Sequence, residues 1–373
     1  MKTIKLRIKQ ILLLCLSALF LVSLLAAFFV PFTGAADDNS IGGEIDKTAA
    51  NDEDSEPSDA YASYNADTQI VRMGTDSVSR EIAFLNGGYI TTLYRDMIGN
   101  VDYVTASQPQ KEFAINTING VVTSESGSWE YISSRSEVLS QGELQFSVRL
   151  TNNIFDVTKY YIIYPNTAII QEWCEITNIS GENHVVSVPS LFSGNWGIEG
   201  ENSAFYYMTG NGNYSGAAML KRISLEYPYS RVFDSLNDSP EVQTVHGHYQ
   251  NNLANKIMGS GLYNEFFAVH NEATQNGAFI LFDYIGAWTN EVSYADDRIT
   301  FDGRVQMNQK IIADGQVLTT PKSLTGFWTG DIDDMGNTIN HYQADYKWDY
   351  TNDAVRTSRA TQWVIGRQTD NAF

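Results

Sequence analysis

The sequence is poor in cysteine, in basic residues and in helical periodicity. Its 2 cysteines are Cys15 and Cys174, and Cys15 falls in an N-terminal apolar run, so the body has neither a disulfide framework nor a cysteine-based metal site. Lys and Arg number 24 against 44 Asp and Glu, a net charge of -20. Because nucleic-acid affinity comes mainly from cationic side chains on phosphates, nucleic acid is excluded as a partner. No phosphate loop, dinucleotide fingerprint or nucleophile elbow occurs, so no cofactor is predicted.

The N-terminus has the layout of an export signal. Residues 1–10 are basic, residues 11–32 carry no charge, and the small residues that follow suit signal cleavage. A bilayer is spanned by about 20 apolar residues, so 1–36 is predicted to be either a cleaved signal peptide or a retained signal anchor. Both alternatives place the body outside the cell or on its surface, touching the membrane only through this segment. Residues 37–60 are acidic with few large apolar side chains, and are expected to form a disordered, flexible linker.

Residues 61–328 show the period-two pattern of β-strands. Apolar side chains at Leu144, Phe146, Val148 and Leu150 alternate with polar ones, as in a strand with one buried face. Four such runs at short spacing predict an antiparallel meander, at 144–150, 154–164, 168–179 and 184–192. The dipeptide Asn86-Gly87 between two further runs is typical of a hairpin. More than a dozen strands without a break in composition predict an all-β fold of two large antiparallel sheets packed face to face.

Two tryptophans stand in contexts that can expose an indole ring. Trp196 (FSGNWGIEG) and Trp288 (YIGAWTNEV) each lie among glycines and small polar residues. Ligand pockets combine apolar and polar groups, so both are candidate sugar-binding residues. The alternative is that each ring caps the end of a sheet. The lone Cys174 alternates with apolar neighbours and is interpreted as a buried, inert thiol.

Three segments, taken in order, resemble a known module. They are YYIIYPNTAIIQEWCEITNISGENHVVSVPSLFS (160–193), GLYNEFFAVHNEATQNGAFILFDYIGAWTNEVSY (261–294) and LTTPKSLTGFWTGDIDDMGNTINHYQADYKWDY (318–350). Together they resemble the N-terminal β-supersandwich, of galactose mutarotase-like architecture, of glycoside hydrolase family 36. That family comprises retaining α-galactosidases and α-N-acetylgalactosaminidases. The resemblance extends over about residues 65–373.

The resemblance implies a function for the chain. In that family the sandwich precedes a (β/α)8 barrel, which carries both catalytic Asp residues. Residues 329–373 are therefore expected to be a connector toward a barrel that is absent from this chain, with a reading frame that continues past Phe373. The chain is expected to be the N-terminal domain or fragment of an exported retaining α-galactosidase-type glycoside hydrolase, without catalytic residues of its own. Its expected partners are an α-galactoside-type oligosaccharide or polysaccharide, its own catalytic barrel, and further copies in a homo-oligomer.

Acidic residues near the C-terminus are the most tempting catalytic candidates. Lys347-Trp348-Asp349 matches the triplet around the family's nucleophile, but the residues after it depart from the family motif. Retaining chemistry also needs a second carboxyl about 5–5.5 Å away, and the nearby acids are expected on a connecting loop. We therefore interpret the triplet as a coincidence.

Asp331, Asp333 and Asp334 have two interpretations. They are candidate sugar contacts from the sandwich side, or else solvated loop acids. Their partial match to a calcium loop fails at Met335, which stands where an oxygen ligand is needed, and no metal site is predicted.

Two other functions stay open. A complete, non-catalytic β-sandwich could bind carbohydrate at the cell surface. A mutarotase-like aldose epimerase would use histidines with a carboxylate as general acid and base. His246 and His248 share one face of a strand-like run, but no matching acidic context accompanies them.

Overall fold

The computed structural model describes residues 58–126, 128–209, 219–225, 256–259, 263–284, 286, 288–305 and 310–347. Residues 59–346 form one compact unit. Within the described residues the secondary structure is almost entirely β, with one α-helix, α1 (Ile332–Tyr346). The strands, in chain order, are β1 (Tyr61–Asn65), β2 (Ile70–Gly74), β3 (Val78–Leu85), β4 (Gly88–Asp96), β5 (Val101–Val104), β6 (Gln110–Lys111), β7 (Ala114–Thr117), β8 (Gly120–Thr123), β9 (Glu130–Val138), β10 (Leu144–Thr151), β11 (Phe155–Ile163), β12 (Ile169–Asn178), β13 (His184–Gly197), β14 (Ser203–Thr209), β15 (Met219–Ser224), β16 (Lys256–Gly259), β17 (Tyr263–Asn271), β18 (Asn276–Asp283), β19 (Trp288–Ala295), β20 (Arg298–Val305), β21 (Lys310–Ile312), β22 (Val317–Thr319) and β23 (Lys322–Thr329).

These strands form three antiparallel sheets. The six-stranded sheet has the order β1-β2-β3-β4-β5, with β6 also paired to β4. The ten-stranded sheet has the order β15-β14-β17-β18-β23-β12-β11-β10-β9, with β22 also paired to β12. The seven-stranded sheet has the order β16-β19-β20-β13-β7-β8, with β21 also paired to β13.

The core lies between the ten-stranded sheet and the other two. Tyr103 of the six-stranded sheet stacks on Phe327 of β23, with ring centroids 4.8 Å apart. The ring centroids of Phe205 of β14 and Phe301 of the seven-stranded sheet are 6.1 Å apart. One buried apolar cluster draws on all three sheets, and burial of such area is the main stabilising term of folding. The predicted all-β architecture of antiparallel sheets packed face to face is confirmed, but there are three sheets where two were expected.

Local sequence signals account for much of this arrangement. The predicted hairpin forms between β3 and β4, where Asn86 and Gly87 have φ values of 53° and 74°, as a type I′ turn requires. The first three runs of the expected meander, β10 to β12, pair in order, and β9 extends the sheet beside β10. The run at 184–192 departs from it, because β13 belongs to the seven-stranded sheet. The free edge of β12 is instead occupied by β22 and β23, which come from much later in the chain.

A helix forms where a connecting loop was expected. Asp331 precedes α1 and caps it, since its Oδ1 accepts the backbone N–H of Asp333 at 2.8 Å. Asp334 completes a capping box by accepting the N–H of Asp331 at 2.9 Å. The expectation that these three acids lie on a connecting loop is wrong: Asp331 is the cap, and Asp333 and Asp334 belong to the first helical turn. The Asp331 and Asp334 carboxylates accept backbone N–H groups at the start of the helix, where the helix dipole favours negative charge.

The helix packs on the ten-stranded sheet through one face. Met335, Ile339 and Tyr342 are its buried residues, at the i, i+4, i+7 spacing of an amphipathic helix. Tyr342 also donates a hydrogen bond of 3.3 Å to Tyr164, which follows β11. The outer face of this sheet is therefore partly covered by the chain itself.

Four charged side chains are enclosed between the six-stranded and ten-stranded sheets. Arg80 of β3 contacts Glu112 at 2.7 Å and Glu172 of β12 at 3.1 Å. Lys159 of β11 contacts Glu172 at 3.1 Å, and Tyr161 donates to Glu112 at 2.7 Å. None of the four charged side chains is more than 5% exposed. The two positive and two negative charges compensate one another where water is excluded, so we interpret this cluster as a structural link between sheets.

The thiol of Cys174 is buried, as expected, and burial raises its pKa to about 12. An unionised, enclosed thiol is a poor nucleophile.

In the part of the chain that the structure describes, no helix is long and apolar enough to cross a membrane. The predicted signal or anchor at 1–36 and nearly all of the predicted linker lie outside that part.

Candidate functional site

A polar pocket of about 400 Å³ opens on the outer face of the seven-stranded sheet. Its floor is made by the three adjacent strands β19, β20 and β13. In β20 the buried positions Ile299, Phe301 and Val305 alternate with partly exposed Thr300, Asp302 and Arg304. Because successive strand residues point to opposite faces, one set fills the core and the other lines the pocket. The volume is within the range of about 300–1,000 Å³ that is typical of small-molecule sites.

Two carboxylates face each other at the centre of the floor. Glu291 of β19 pairs in register with Asp302 of β20, and Ser193 of β13 pairs with Asp302 from the other side. Cross-strand partners have Cβ atoms about 4.5–5.5 Å apart, so the two carboxylates and the hydroxyl form one continuous row. Like charges placed directly opposite are destabilising unless a cation compensates them.

Arg304 supplies that compensation. Its guanidinium donates to the Asp302 carboxylate, and this hydrogen bond raises the pKa of Arg304, with Glu291 contributing in the same direction. Counting the whole lining, Glu125, Glu291 and Asp302 stand against Lys111 and Arg304, a balance of -1. The pocket therefore offers several strong acceptors and a slight excess of negative charge.

A second row of polar groups lies beside the carboxylates. Thr300 of β20 pairs with Ser293 of β19 on one side and with Asn195 of β13 on the other. The hydroxyls of Ser293 and Thr300 are hydrogen-bonded to each other. The Asn195 amide is fixed at both ends, since Nδ2 donates to the Pro109 carbonyl at 3.3 Å and Oδ1 accepts from Arg298 at 2.9 Å. The rows are thus held in place before any ligand arrives.

Gln110 of β6 closes one side of the pocket and has an unsatisfied donor. Its Oε1 accepts the backbone N–H of Asn195 at 3.2 Å, which fixes the orientation of the amide. Among the described residues its Nε2 has no hydrogen-bond partner, although the residue is only 1% exposed. Leaving a buried donor unpaired costs about 1–3 kcal/mol. A ligand hydroxyl in the pocket is a group that could accept this hydrogen bond.

The two tryptophans expected at a sugar site are in the core. Trp196 and Trp288 are both 0% exposed, so the expectation that their rings are available for stacking is wrong. The reason is the alternation of side chains along a strand. Asn195 points outward, so Trp196, the next residue, points inward. Thr289 also points outward, so Trp288, the residue before it, points inward. Trp196 packs against Phe301 beneath the pocket floor, with ring centroids 5.2 Å apart.

The three acids expected to reach a sugar lie at the start of α1, on the ten-stranded sheet and away from the pocket. Asp331 caps α1, and Asp333 and Asp334 belong to its first turn. The helix packs on the ten-stranded sheet, and none of the three acids lines the pocket. Asp331 and Asp334 are engaged in the helix cap. Sugar binding by these acids stays a prediction. Trp348 and Asp349 of the triplet, and the pair His246 and His248, lie outside the described residues.

Sequence reasoning missed the pocket residues, although a signal for some of them exists. The segments NEVSY (290–294) and TFDGR (300–304) each place polar residues at alternate positions, with one carboxylate in each. A β19–β20 hairpin with Asp296 and Asp297 at its turn would have paired these carboxylates in register. Gln110 and Asn195 carry no such signal, because they are 85 residues apart and meet only in the folded chain.

Comparison with known proteins defines the fold. No protein-family profile and no curated protein matches the sequence. Solved structures do match, among them the GH36 α-galactosidase AgaB from Geobacillus stearothermophilus, at 12% identity and a TM-score of 0.55 over 74% of this chain and 42% of that chain. The α-galactosidase from Lactobacillus brevis matches at 12% identity and a TM-score of 0.55, over 76% of this chain and 42% of that one. The GH36 α-galactosidase AgaA from Geobacillus stearothermophilus, as a variant in complex with raffinose, matches at 11% identity and a TM-score of 0.52, over 70% of this chain and 41% of that one.

These matches show a fold in common with GH36 α-galactosidases. At 11–12% identity the likeness is one of architecture. The chain spans less than half the length of the enzymes it matches. Its fold is thus a large antiparallel β-sandwich of the kind found in part of these glycoside hydrolases.

Proposed function

We propose that this chain is the β-sandwich module of an exported α-galactosidase-type glycoside hydrolase and binds an oligosaccharide with terminal α-linked galactose. The observation that carries the proposal is the sandwich shared with GH36 α-galactosidases, one of which was crystallised with raffinose. Fold alone does not determine function, so the proposal also depends on a site in this chain suited to a sugar. The polar pocket on the seven-stranded sheet supplies that second support.

In this proposal the module binds the sugar and the bond is broken elsewhere. Retaining hydrolysis needs one carboxyl as nucleophile and another as acid and then base. We assign both to a catalytic barrel, as the family resemblance implies, and none to the described residues. The sandwich shapes the sugar pocket and contributes to contacts between copies of the protein. The signal or anchor at 1–36 carries it out of the cell.

A second candidate is a non-catalytic surface protein that binds carbohydrate. The pocket favours it, because its lining already combines carboxylates, hydroxyls and amides that can hold a sugar. The mutarotase-like alternative requires a histidine beside a carboxylate. None of the described residues that line the pocket is a histidine, and His246 and His248 lie outside the described residues.

Calorimetric titration of the purified full chain tests the proposed ligand. Raffinose and galactose are expected to bind saturably, whereas cellobiose, which has no α-galactosyl group, is not. Binding of cellobiose alone would redirect the proposal to another class of glycan, and binding of none of the three would contradict it.

The assignment of catalysis is tested separately with a chromogenic α-galactoside. We expect no hydrolysis by the chain alone, and turnover would place catalytic carboxylates within it. Immunodetection in cell fractions of the source organism tests export, which requires the protein at the surface or in the medium.

A further inference from the structure

The pocket on the seven-stranded sheet has features of a built ligand site rather than an accidental depression. We propose that it is a binding subsite for one uncharged sugar ring, held by Glu291, Asp302 and Gln110; this inference rests on the proposed function. Glu291 and Asp302 are register partners on adjacent strands, so their side chains leave the sheet side by side. Rigid strands hold binding groups more precisely than loops do.

The carboxylates suit hydroxyl groups on neighbouring carbons. An ionised carboxylate is an acceptor only, with two oxygens, and its hydrogen bonds are roughly twice as strong as neutral ones. Asp302 is held from one side by Arg304. A sugar ring that lies across Glu291 and Asp302 can donate from two hydroxyls to the pair. The same hydroxyls can accept from Arg304.

The buried amide of Gln110 points to a ligand independently of the acids. Its Oε1 accepts the N–H of Asn195, whereas its Nε2 finds no acceptor in the part of the chain that the structure describes. Buried polar groups in native proteins nearly always have partners, so an unpaired one calls for an explanation. A sugar hydroxyl, which both donates and accepts, can accept from Nε2 while it donates to a carboxylate.

Charge determines which sugars fit. The lining carries a balance of -1, and a site of that sign disfavours a uronic acid by like-charge repulsion. An uncharged hexose carries no such penalty. The inferred ligand class is therefore a neutral sugar ring, either free or at the end of an oligosaccharide.

The test uses the full chain and calorimetric titration with galactose, raffinose and galacturonic acid. We expect Glu291→Ala and Gln110→Leu each to weaken binding of galactose and raffinose at least about tenfold, as loss of a central contact does. Galacturonic acid is expected to bind at least about tenfold more weakly than galactose. Glu137→Ala is the matched control, because Glu137 is an exposed strand carboxylate on β9 outside the pocket. It should bind like the parent protein.

Thermal unfolding of each variant separates loss of binding from loss of fold. Should Gln110→Leu unfold, Glu291→Ala, at a partly exposed strand position, still decides the matter. If both variants bind galactose like the parent, the sugar sits elsewhere: the subsite is refuted while the proposed function stands. If the parent binds none of the three sugars, both proposals fail. Equal binding of galactose and galacturonic acid would overturn the inferred ligand class.

Discussion

Arg80 and Glu112 form an ion pair of 2.7 Å in which the two side chains are 1% and 0% exposed. The pair joins β3 to the segment just after β6, and its neighbours Lys159 and Glu172 extend it across the core to the ten-stranded sheet. An ion pair of this kind contributes little net stability against a well-packed apolar alternative. It is costly to break, however, because removing one partner leaves the other charge buried and uncompensated.

Arg80→Met is therefore expected to lower the free energy of unfolding by about 3–5 kcal/mol. The substitution leaves Glu112 and Glu172 with Lys159 as their remaining cation. Urea-induced unfolding followed by tryptophan fluorescence measures the effect. The matched control is Arg72→Met, which breaks an ion pair of 2.8 Å to Glu81 whose arginine is 57% exposed and should cost only about 0–1 kcal/mol. Equal losses in the two variants would contradict a special role for the enclosed cluster.

Glu112 also makes stability depend on pH. Burial alone would raise its pKa, but the charges of Arg80 and Lys159 outweigh burial, aided by hydrogen bonds from Thr91 and Tyr161, and the pKa lies below its ordinary value. A carboxyl whose pKa is lower in the folded than in the unfolded state stabilises the fold above its unfolded pKa, about 4.3. That contribution is lost as pH falls through the folded-state pKa.

The measurement is the free energy of unfolding between about pH 6 and pH 3. Glu112→Gln is expected to be less stable than the parent at neutral pH and to lose less stability on acidification. Glu137→Gln, at an exposed position on β9, should keep the slope of the parent protein. An unchanged slope in Glu112→Gln would mean that other groups determine the acid sensitivity.

Sequence periodicity predicts the strands well because strand signals are local. Leu144, Phe146, Val148 and Leu150 share the inward face that their alternation predicts. The turn at Asn86-Gly87 depends only on residues that tolerate positive φ. Strand order could not be predicted in the same way. Strand β12 pairs with β22 and β23, and no local signal in any of these strands specifies that pairing.

The errors have identifiable physical causes. The helix α1 was missed because Gly336, Asn337 and Thr338 are poor helix formers, while its signal, the spacing of Met335, Ile339 and Tyr342, is sparse. Trp196 and Trp288 lie among glycines and small polar residues, but the alternation of side chains along their strands turns both rings into the core. The pocket could not be predicted from the sequence, because the residues of its floor and the unsatisfied amide of Gln110 come together only when the strands pair.

The helix cap predicts a moderate effect at an exposed site. Asp331→Ala removes the acceptor of the backbone N–H of Asp333 and is expected to cost about 0.5–2 kcal/mol in unfolding free energy. Asp333→Asn is the matched control, since it removes a neighbouring charge but keeps the cap. Burial, together with repulsion from Asp331 and Asp334, raises the pKa of Asp333, so its ionised form is disfavoured in the fold. Asp333→Asn should therefore be neutral or slightly stabilising, and a loss equal to that of Asp331→Ala would argue against the cap.

Gly277 and Trp328 are register partners on β18 and β23, and the indole occupies the space that a side chain at Gly277 would need. A Cβ at position 277 would lie 2.1 Å from Cη2 of Trp328. Moving the ring would disturb its hydrogen bond of 2.9 Å to the carbonyl of Asp331, at the start of α1, and its stacking on His270 at 5.4 Å. Gly277→Ala is therefore expected to destabilise the protein by about 1–3 kcal/mol, as overpacking does.

A double-mutant cycle tests whether this ring is the cause of the loss. Trp328→Phe removes the part of the indole that a new Cβ would meet, at its own cost in packing and in the hydrogen bond to Asp331. Because the two substitutions act on one contact, Gly277→Ala with Trp328→Phe should cost less than the sum of the single variants, by about 0.5–3 kcal/mol. Strict additivity would mean that the Gly277→Ala loss comes from the backbone of β18 rather than from the indole. A loss in the double variant smaller than the sum of the two single losses would show that the Gly277→Ala cost comes from the clash between the new Cβ and the Trp328 indole.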